Sequence, residues 1–325
     1  MLNRRQAVGA LLAGAGGCAF AASESYPSRP VTLLAPAPAG GGLDLIARAL
    51  ADEMTKTLKQ PVVVDSRPGA GGVLAANVVA KAQPDGHTVG LALTQSVLNN
   101  LFLMAHLPYD PRRDLAFVSE ICTAQVVLVA NSAIPATSVK ELIAWMKANP
   151  SKAMYGSWGP GSYGHIAGTH IGNSRGVAMV HVPYKGEAPM VQDILGNQLP
   201  WAMASLASTR ANIESGRLRA LAITGSKRSD ALPNVPTFAE AGLDDKELTV
   251  TGSVLLVAPA ATPPAVLARL EKASLDALAT PQVRARLQVV SFVPLGLTGK
   301  QARANYDTIF PVQEKLLRAL NIKVD

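Results

Sequence analysis

Three glycine-rich stretches hold the residue types from which a binding chemistry could be built. The first is Gly40-Gly41-Gly42-Leu43-Asp44, preceded by Ala37-Pro38-Ala39. Glycine lets a backbone approach a ligand closely, and a helix capped by Asp44 would add free N–H groups and a positive dipole end. Such a loop can hold a carboxylate or a phosphate. A tight strand-to-helix turn would use the same residues, so the loop alone leaves both readings open. It lacks the Gly-Lys-Ser/Thr of a Walker loop. The second stretch, Arg67-Pro68-Gly69-Ala70-Gly71-Gly72, has Leu74 where a dinucleotide fingerprint needs glycine, leaving a plain turn or a positioning role beside a pocket. The third runs from Tyr155 to His165 and offers the hydroxyls of Ser157 and Ser162, the latter placed to cap a helix. Two anion-friendly helix starts, one in each half of the chain, are what a two-lobed carboxylate trap requires.

Catalytic and metal chemistries fit less well. A nucleophile elbow needs glycine two places before and after its serine. Ser157 has Tyr155 before it, and Ser162 has Pro160, so each meets half the pattern. His165 and His170 are five apart, about 140° around a helix, and diverge. There is no CxxC or HExxH, so no metal site and no cofactor is expected. His181-Val182-Pro183-Tyr184-Lys185-Gly186 ends a strand and opens a helix, where Tyr184 could bring a hydroxyl near an anion; a packed Tyr beside a solvated Lys is the alternative. Met203-Ala204-Ser205 follows an apolar run and could line a cleft with small side chains.

The elements that must position these residues alternate. Strands read at 31–35, 61–65, 87–93, 126–130, 153–155, 178–181, 218–224 and 254–257. Helices read from Asp44, at 73–82, 138–148, 164–173, 187–196, 208–216, 236–241, 264–279, 281–288 and 298–319. This order implies an α/β fold with mainly parallel sheets covered on both faces. Chain crossings between lobes fit Thr123–Leu128 and Leu248–Ser253.

Composition bounds the rest. With 325 residues, 48% hydrophobic and 16% charged, the chain suits two compact lobes and opposes disorder. The formal charge of +7 is diffuse, without the basic runs and interleaved aromatics of a nucleic-acid binder. A mild positive field favours collecting anions. Arg4 and Arg5 followed by the small, apolar Ala7–Phe20 and Ala19-Phe20-Ala21 read as a secretory signal over 1–21, with Ala22 as the mature start. Its removal takes the charge from +7 to about +5. The arginine pair hints at twin-arginine export, and Cys18 at a lipid anchor, each with poor flanking residues. No later run of eighteen apolar residues occurs. Cys122 would be left alone, as a buried thiol.

Many of these motifs together resemble the substrate-binding proteins of tripartite tricarboxylate transporters, the Bordetella uptake gene receptor family. They include Tyr26-Pro27-Ser28-Arg29-Pro30, Gly40-Gly41-Gly42 with Asp44, and Arg67 to Gly72. Further on come Pro84-Asp85-Gly86, Leu107-Pro108-Tyr109-Asp110, Tyr155 to His165, His181 to Gly186, Leu232 to Thr237 and Ile322-Lys323-Val324-Asp325. The resemblance is collinear from Tyr26 to the end. It implies a type II, Venus-flytrap binding protein of the periplasm, monomeric, with lobe 1 at 22–125 plus 252–325 and lobe 2 at 126–251. It implies a small-molecule carboxylate ligand, membrane transporter subunits as partners, no nucleic acid and no enzymatic activity. Sensing through a membrane histidine kinase, and a serine hydrolase using Ser157 or Ser162 with His165, are the alternatives. The resemblance places Ala39, Gly40, Gly41, Gly42, Leu43 and Asp44 at the ligand, with Gln95, Ser96 and Asn100. From the second lobe it adds Ser157, Trp158, Gly161, Ser162 and His165, and the cleft reading adds Tyr184, Ala204 and Ser205. Several residues depart from the family pattern: Leu43 replaces a small polar residue, Ala204 an acidic one and Ser253 an aromatic, while Pro36-Ala37-Pro38-Ala39 loses an aromatic wall. These departures point to a ligand less polar than an amino acid.

Overall fold

The structure is a computed structural model that describes residues 26–250 and 252–324. The signal segment, its cleavage site and Cys18 lie outside the described residues. Strand β1 (Val31–Ala35) leads into helix α1 (Gly42–Leu58), β2 (Val62–Ser66), α2 (Val73–Ala80) and β3 (Thr88–Leu93). A π-turn at Gln95–Asn99 and the short α3 (Asn100–Leu103) follow, then β4 (Leu115–Ala124). One residue later the chain enters a second sheet. Its elements are β5 (Val126–Asn131), α4 (Val139–Ala148), β6 (Met154–Ser157), α5 (Tyr163–Arg175), β7 (Val180–Pro183), α6 (Glu187–Leu195), β8 (Trp201–Ser205), α7 (Leu206–Glu214) and β9 (Leu218–Ile223). The chain returns to the first sheet with β10 (Gly252–Pro259), α8 (Pro264–Ala279), α9 (Pro281–Val289), β11 (Phe292–Thr298) and α10 (Gly299–Leu320).

The sheets are ordered β11-β4-β10-β3-β1-β2 and β7-β6-β8-β5-β9. In each, the strand that has just crossed from the other lobe, β10 or β5, inserts beside the third local strand. It enters from the edge toward which the local strands run, so it pairs antiparallel with both neighbours. Among the named strands, parallel pairing is confined to β1 with β2 and β3, and β6 with β7 and β8. The two-lobed α/β architecture holds, but the expected mainly parallel sheets are mixed.

Alternation of side chains explains why each sheet is covered twice. Val31, Leu33 and Ala35 enter one core with Ile46, Leu50 and Met54 of α1, while Leu34 between them enters the opposite core with Val73 and Val79 of α2. Val127 and Val129 face one side of the second sheet, and Val126, Leu128 and Ala130 the other. Each fully buried Leu, Ile or Met contributes about 1.5–3 kcal/mol. Cys122 is one of these buried groups, and burial pushes its thiol up.

Three elements depart from the sequence pattern. β4 was hidden because Ser119, Glu120 and Thr123 interrupt its apolar run, although all three are buried. β11 contains Pro294 and Gly296, which argue against a strand, but it is an edge strand with a register shift between Pro294 and Leu297. Residues 236–241 form turns instead of a helix, closed by Ala241 N–H to Thr237 O and Gly242 N–H to Ala239 O.

Candidate ligand-binding cleft

Because β1, β2 and β3 run in register, their following loops meet at one edge of the first sheet. Gly72 makes the junction: a Cβ there would lie 3.5 Å from Pro36 and 3.4 Å from Ser96. The loop after β6 in the other lobe comes to the same place. Between them is a cavity of about 420 Å³, within the usual range for small-molecule sites. The first lobe contributes Ala70 and Gly71, then Gln95, Asn100 and Met104. The second contributes Trp158, Gly159, Pro160 and Ser162, and Val324 of the C-terminal segment completes the wall.

The backbone is shaped for this closeness. Gly71 has φ +61°, and a Cβ there would meet the Gln95 amide at 2.6 Å, so glycine is what leaves Gln95 its place. Gly161 has φ +71° and lies under Val324 and Leu103, with a notional Cβ 2.7 Å from Val324 Cγ2. The C-terminal segment is itself pinned by Val324 N–H to Leu103 O at 2.9 Å. Leu103, Ile166, Leu316, Leu317 and Ile322 form a small core joining α3, α5 and α10 across the lobes.

Among the described residues, no charged side chain lines this cavity. Its polarity comes from the Gln95 and Asn100 amides, the Ser162 hydroxyl and the start of α5. Ser162 caps α5 by accepting the His165 N–H, and the N–H groups of Tyr163 and Gly164, first in the helix, have no intrahelical partner. A carboxylate here would meet dipoles rather than a counter-ion. The indole of Trp158 lies over Gly164, 2.9 Å from where a Cβ would be, and offers an apolar wall beside those N–H groups.

The structure therefore brings together Gln95, Asn100, Trp158 and Ser162, with Gly161 packed directly behind. It does not bring the other expected residues to the cavity. Ala39 and Gly40 are exposed, Gly41 half-buried, and Gly42 lies near Val290. Leu43 packs on the core of its own lobe, so its change from a polar residue does not alter the cavity wall. Asp44 is not the N-cap, a place taken by Gly41. Its buried carboxylate instead accepts from Gly40 N–H, Ser66 Oγ and Arg48, the last of these chiefly holding it down to about 2. Ser96 is fully buried and bonded to Leu93. Ala204 is fully buried in the second sheet. The Tyr184 hydroxyl donates to Asp193 at 2.7 Å and is pushed up to about 12 by burial and that carboxylate. Ser205 caps α7 and is held through its N–H and hydroxyl by Glu187. Ser253 bonds Glu120 and Thr94 where the chain returns to the first lobe.

Sequence reasoning missed Ala70, Gly71, Met104 and Val324 as lining residues. The Arg67–Gly72 loop carried a signal in its glycines. Met104 and Val324 carried none, since only tertiary packing brings them in.

Ser157 deserves separate treatment as a possible nucleophile. Its Oγ lies 2.7 Å from His181 Nε2, but it is fully buried, its hydrogen is directed to Gly159 O at 3.0 Å, and no carboxylate among the described residues bonds His181. That is the geometry of a brace, and His181 rather than His165 is its partner. His165 and His170 do diverge: the latter pairs with Asp245, which Arg175 also engages.

Two α/β lobes with a small cavity between their loops, uncharged in its described lining, define a solute-binding protein. The family model for the tripartite tricarboxylate transporter family receptor, TctC, matches residues 46–309. The chain is 35% identical over 297 residues to protein BugT of Bordetella pertussis, covering 91% of this chain and 90% of that one. Among solved structures, the periplasmic binding protein BugD aligns with 31% identity and TM-score 0.77, over 92% of this chain and 99% of that one. Rpa4515 of R. palustris, solved with adipate, aligns with 29% identity and TM-score 0.80, over 92% and 99%. The chain belongs to the tripartite tricarboxylate transporter receptor family, as its motifs indicated. Its architecture is that of the periplasmic binding proteins.

Proposed function

We propose that this receptor captures a small organic carboxylate in the cavity between Gln95, Asn100 and the Trp158–Ser162 turn. The observation that carries the reading is a helix start with open N–H groups beside a cavity that has no charged side chain among its described lining residues. One carboxylate fits there, with an apolar body against Trp158, Met104 and Val324; about 100 Å² of such contact contributes about 2.5 kcal/mol. A ligand ammonium group would find no carboxylate among the described lining residues, which disfavours amino acids. The adipate bound by Rpa4515 is of the same chemical class. The protein acts in the periplasm as a monomer, exported by the leader at 1–21, and delivers its ligand to membrane transporter subunits. The residues 22–125 with 252–325, and 126–251, are the two lobes that close on it. Calorimetric titration with aliphatic and aromatic mono- and dicarboxylates tests this. Binding of at least one such acid, weakened by Asn100→Ala, supports the reading; tight binding of aspartate or glutamate in preference overturns it.

A further inference from the structure

We propose that the stacked pair His165 and His181 sets the shape of the Ser157–Ser162 turn, with His165 serving as a neutral acceptor for the Gly161 N–H. The inference rests on that turn being the ligand-holding one. The two imidazoles lie parallel, 3.7 Å between centroids and 6° between planes. Each grips a different end of the turn. His181 Nε2 is 2.7 Å from Ser157 Oγ, and His165 Nδ1 takes the Gly161 N–H at 3.1 Å. Behind them Tyr155 stacks on His181 at 5.1 Å and Trp201 on Tyr155 at 5.5 Å, so the pair is backed by the fixed core of the lobe.

Counting hydrogens sets the tautomers. A backbone N–H can only donate, so His165 Nδ1 is bare and its ring proton sits on Nε2. Ser157 has a single hydroxyl hydrogen, which goes to Gly159 O, while its oxygen also accepts the Gly159 N–H at 3.3 Å. His181 Nε2 must then be the donor to Ser157. His165 is the ring that must be neutral, since His181 Nε2 donates to Ser157 in either charge state. A proton on His165 Nδ1 would replace the acceptor with a second donor facing Gly161.

The surroundings favour that neutral state. Burial lowers the affinity of both imidazoles for a proton, and His181 falls to about 4, with the charge His165 would carry as the second cause. The outer side of the pair faces a cavity of about 370 Å³. Its titratable groups besides the pair are Tyr155 of β6, whose hydroxyl is engaged by Thr169 at 2.7 Å, and Lys323 of the C-terminal segment. The flanking α5 groups, Thr169 and Asn173, are neutral, so none of the described groups lining that cavity is an acid that would stabilise an imidazolium.

The experiment uses ligand-free protein, ¹⁵N chemical shifts of the imidazoles and amide exchange at Gly161. His165→Phe keeps a flat ring in the stack without an acceptor; His165→Asn restores an acceptor without the stack. At pH 7 the expected results are an Nε2–H tautomer at His165 and Gly161 protection reduced about tenfold in His165→Phe. In His165→Asn, protection stays within about threefold of the parent. As pH falls below the ordinary imidazole range, protection drops in the parent but not in His165→Asn. Affinity for the probe adipate follows the same order of variants. An Nδ1–H tautomer, or undiminished Gly161 protection in His165→Phe, overturns the proposal. If adipate fails to bind the parent protein, the ligand reading suffers, while tautomer and exchange still decide the clamp.

Discussion

Helices α5 and α7 begin almost alike and end up with opposite capacities. Both come after a strand of the second sheet, α7 at once and α5 after the Trp158–Ser162 turn, and both are capped by a serine, Ser162 or Ser205. At α7 the chain supplies its own anion: Glu187, from the first turn of α6, takes the Ser205 N–H at 2.8 Å and the Ser205 hydroxyl. At α5 the neighbouring group is a neutral imidazole, which accepts one N–H and leaves the first helical donors open. Helix α1 is a third case, with the Asp44 carboxylate folded back onto Gly40 N–H. An anion-friendly helix start becomes a ligand site only where the protein has not filled it with an acid of its own.

The largest break in this comparison should come from Gly161→Ala. A left-handed φ costs a side chain about 1–2 kcal/mol, and the crowding against Val324 and Leu103 adds about 1–3 kcal/mol. Denaturant unfolding should show a loss of about 2–5 kcal/mol, and carboxylate affinity should fall with it. Glu187→Ala comes next, costing about 1.5–3 kcal/mol because charge-assisted bonds are lost. Calorimetry should find its ligand affinity unchanged, since α7 lies apart from the cavity lining. A matched pair sharpens the contrast further. Ser162→Ala and Ser205→Ala should each cost about 1 kcal/mol as lost caps, yet only the first should weaken carboxylate binding. The smallest effect is acid titration at α1. Asp44 is held at about 2 in the folded protein, below its unfolded value, so its contribution is complete above the ordinary carboxylate range and is lost as pH falls toward 2. Unfolding midpoints of Asp44→Asn should therefore fall less steeply across that window than those of the parent.

Much of this was legible in the sequence. The period change after Pro36, the glycine loops and the alternation of elements place strands, helices and both lobes, and α8 is read at 264–279 as observed. Local pattern failed where tertiary context reversed it. β4 buries Glu120 by bonding it to Ser253 and Asn305, which no apolar count can foresee. At the site, Ser162, Trp158, Gln95 and Asn100 were legible through family motifs. Ser96, Ser157 and Tyr184 have the same side-chain chemistry but spend it inside the protein, on Leu93, on Gly159 and His181, and on Asp193. Residue type announces a hydrogen-bonding group; only packing decides whether a ligand or a neighbour receives it.

The most direct test of the central claim is a backbone amide ¹H–¹⁵N map of the protein titrated with adipate. The account predicts that amide signals of Gly71, Gln95, Asn100 and Gly161 to Gly164 shift together with a single affinity, while Leu206 to Ser208 at the start of α7 stay in place. Shifts centred on α7, or a titration that leaves Gly161 to Gly164 unmoved while adipate binds, would contradict it.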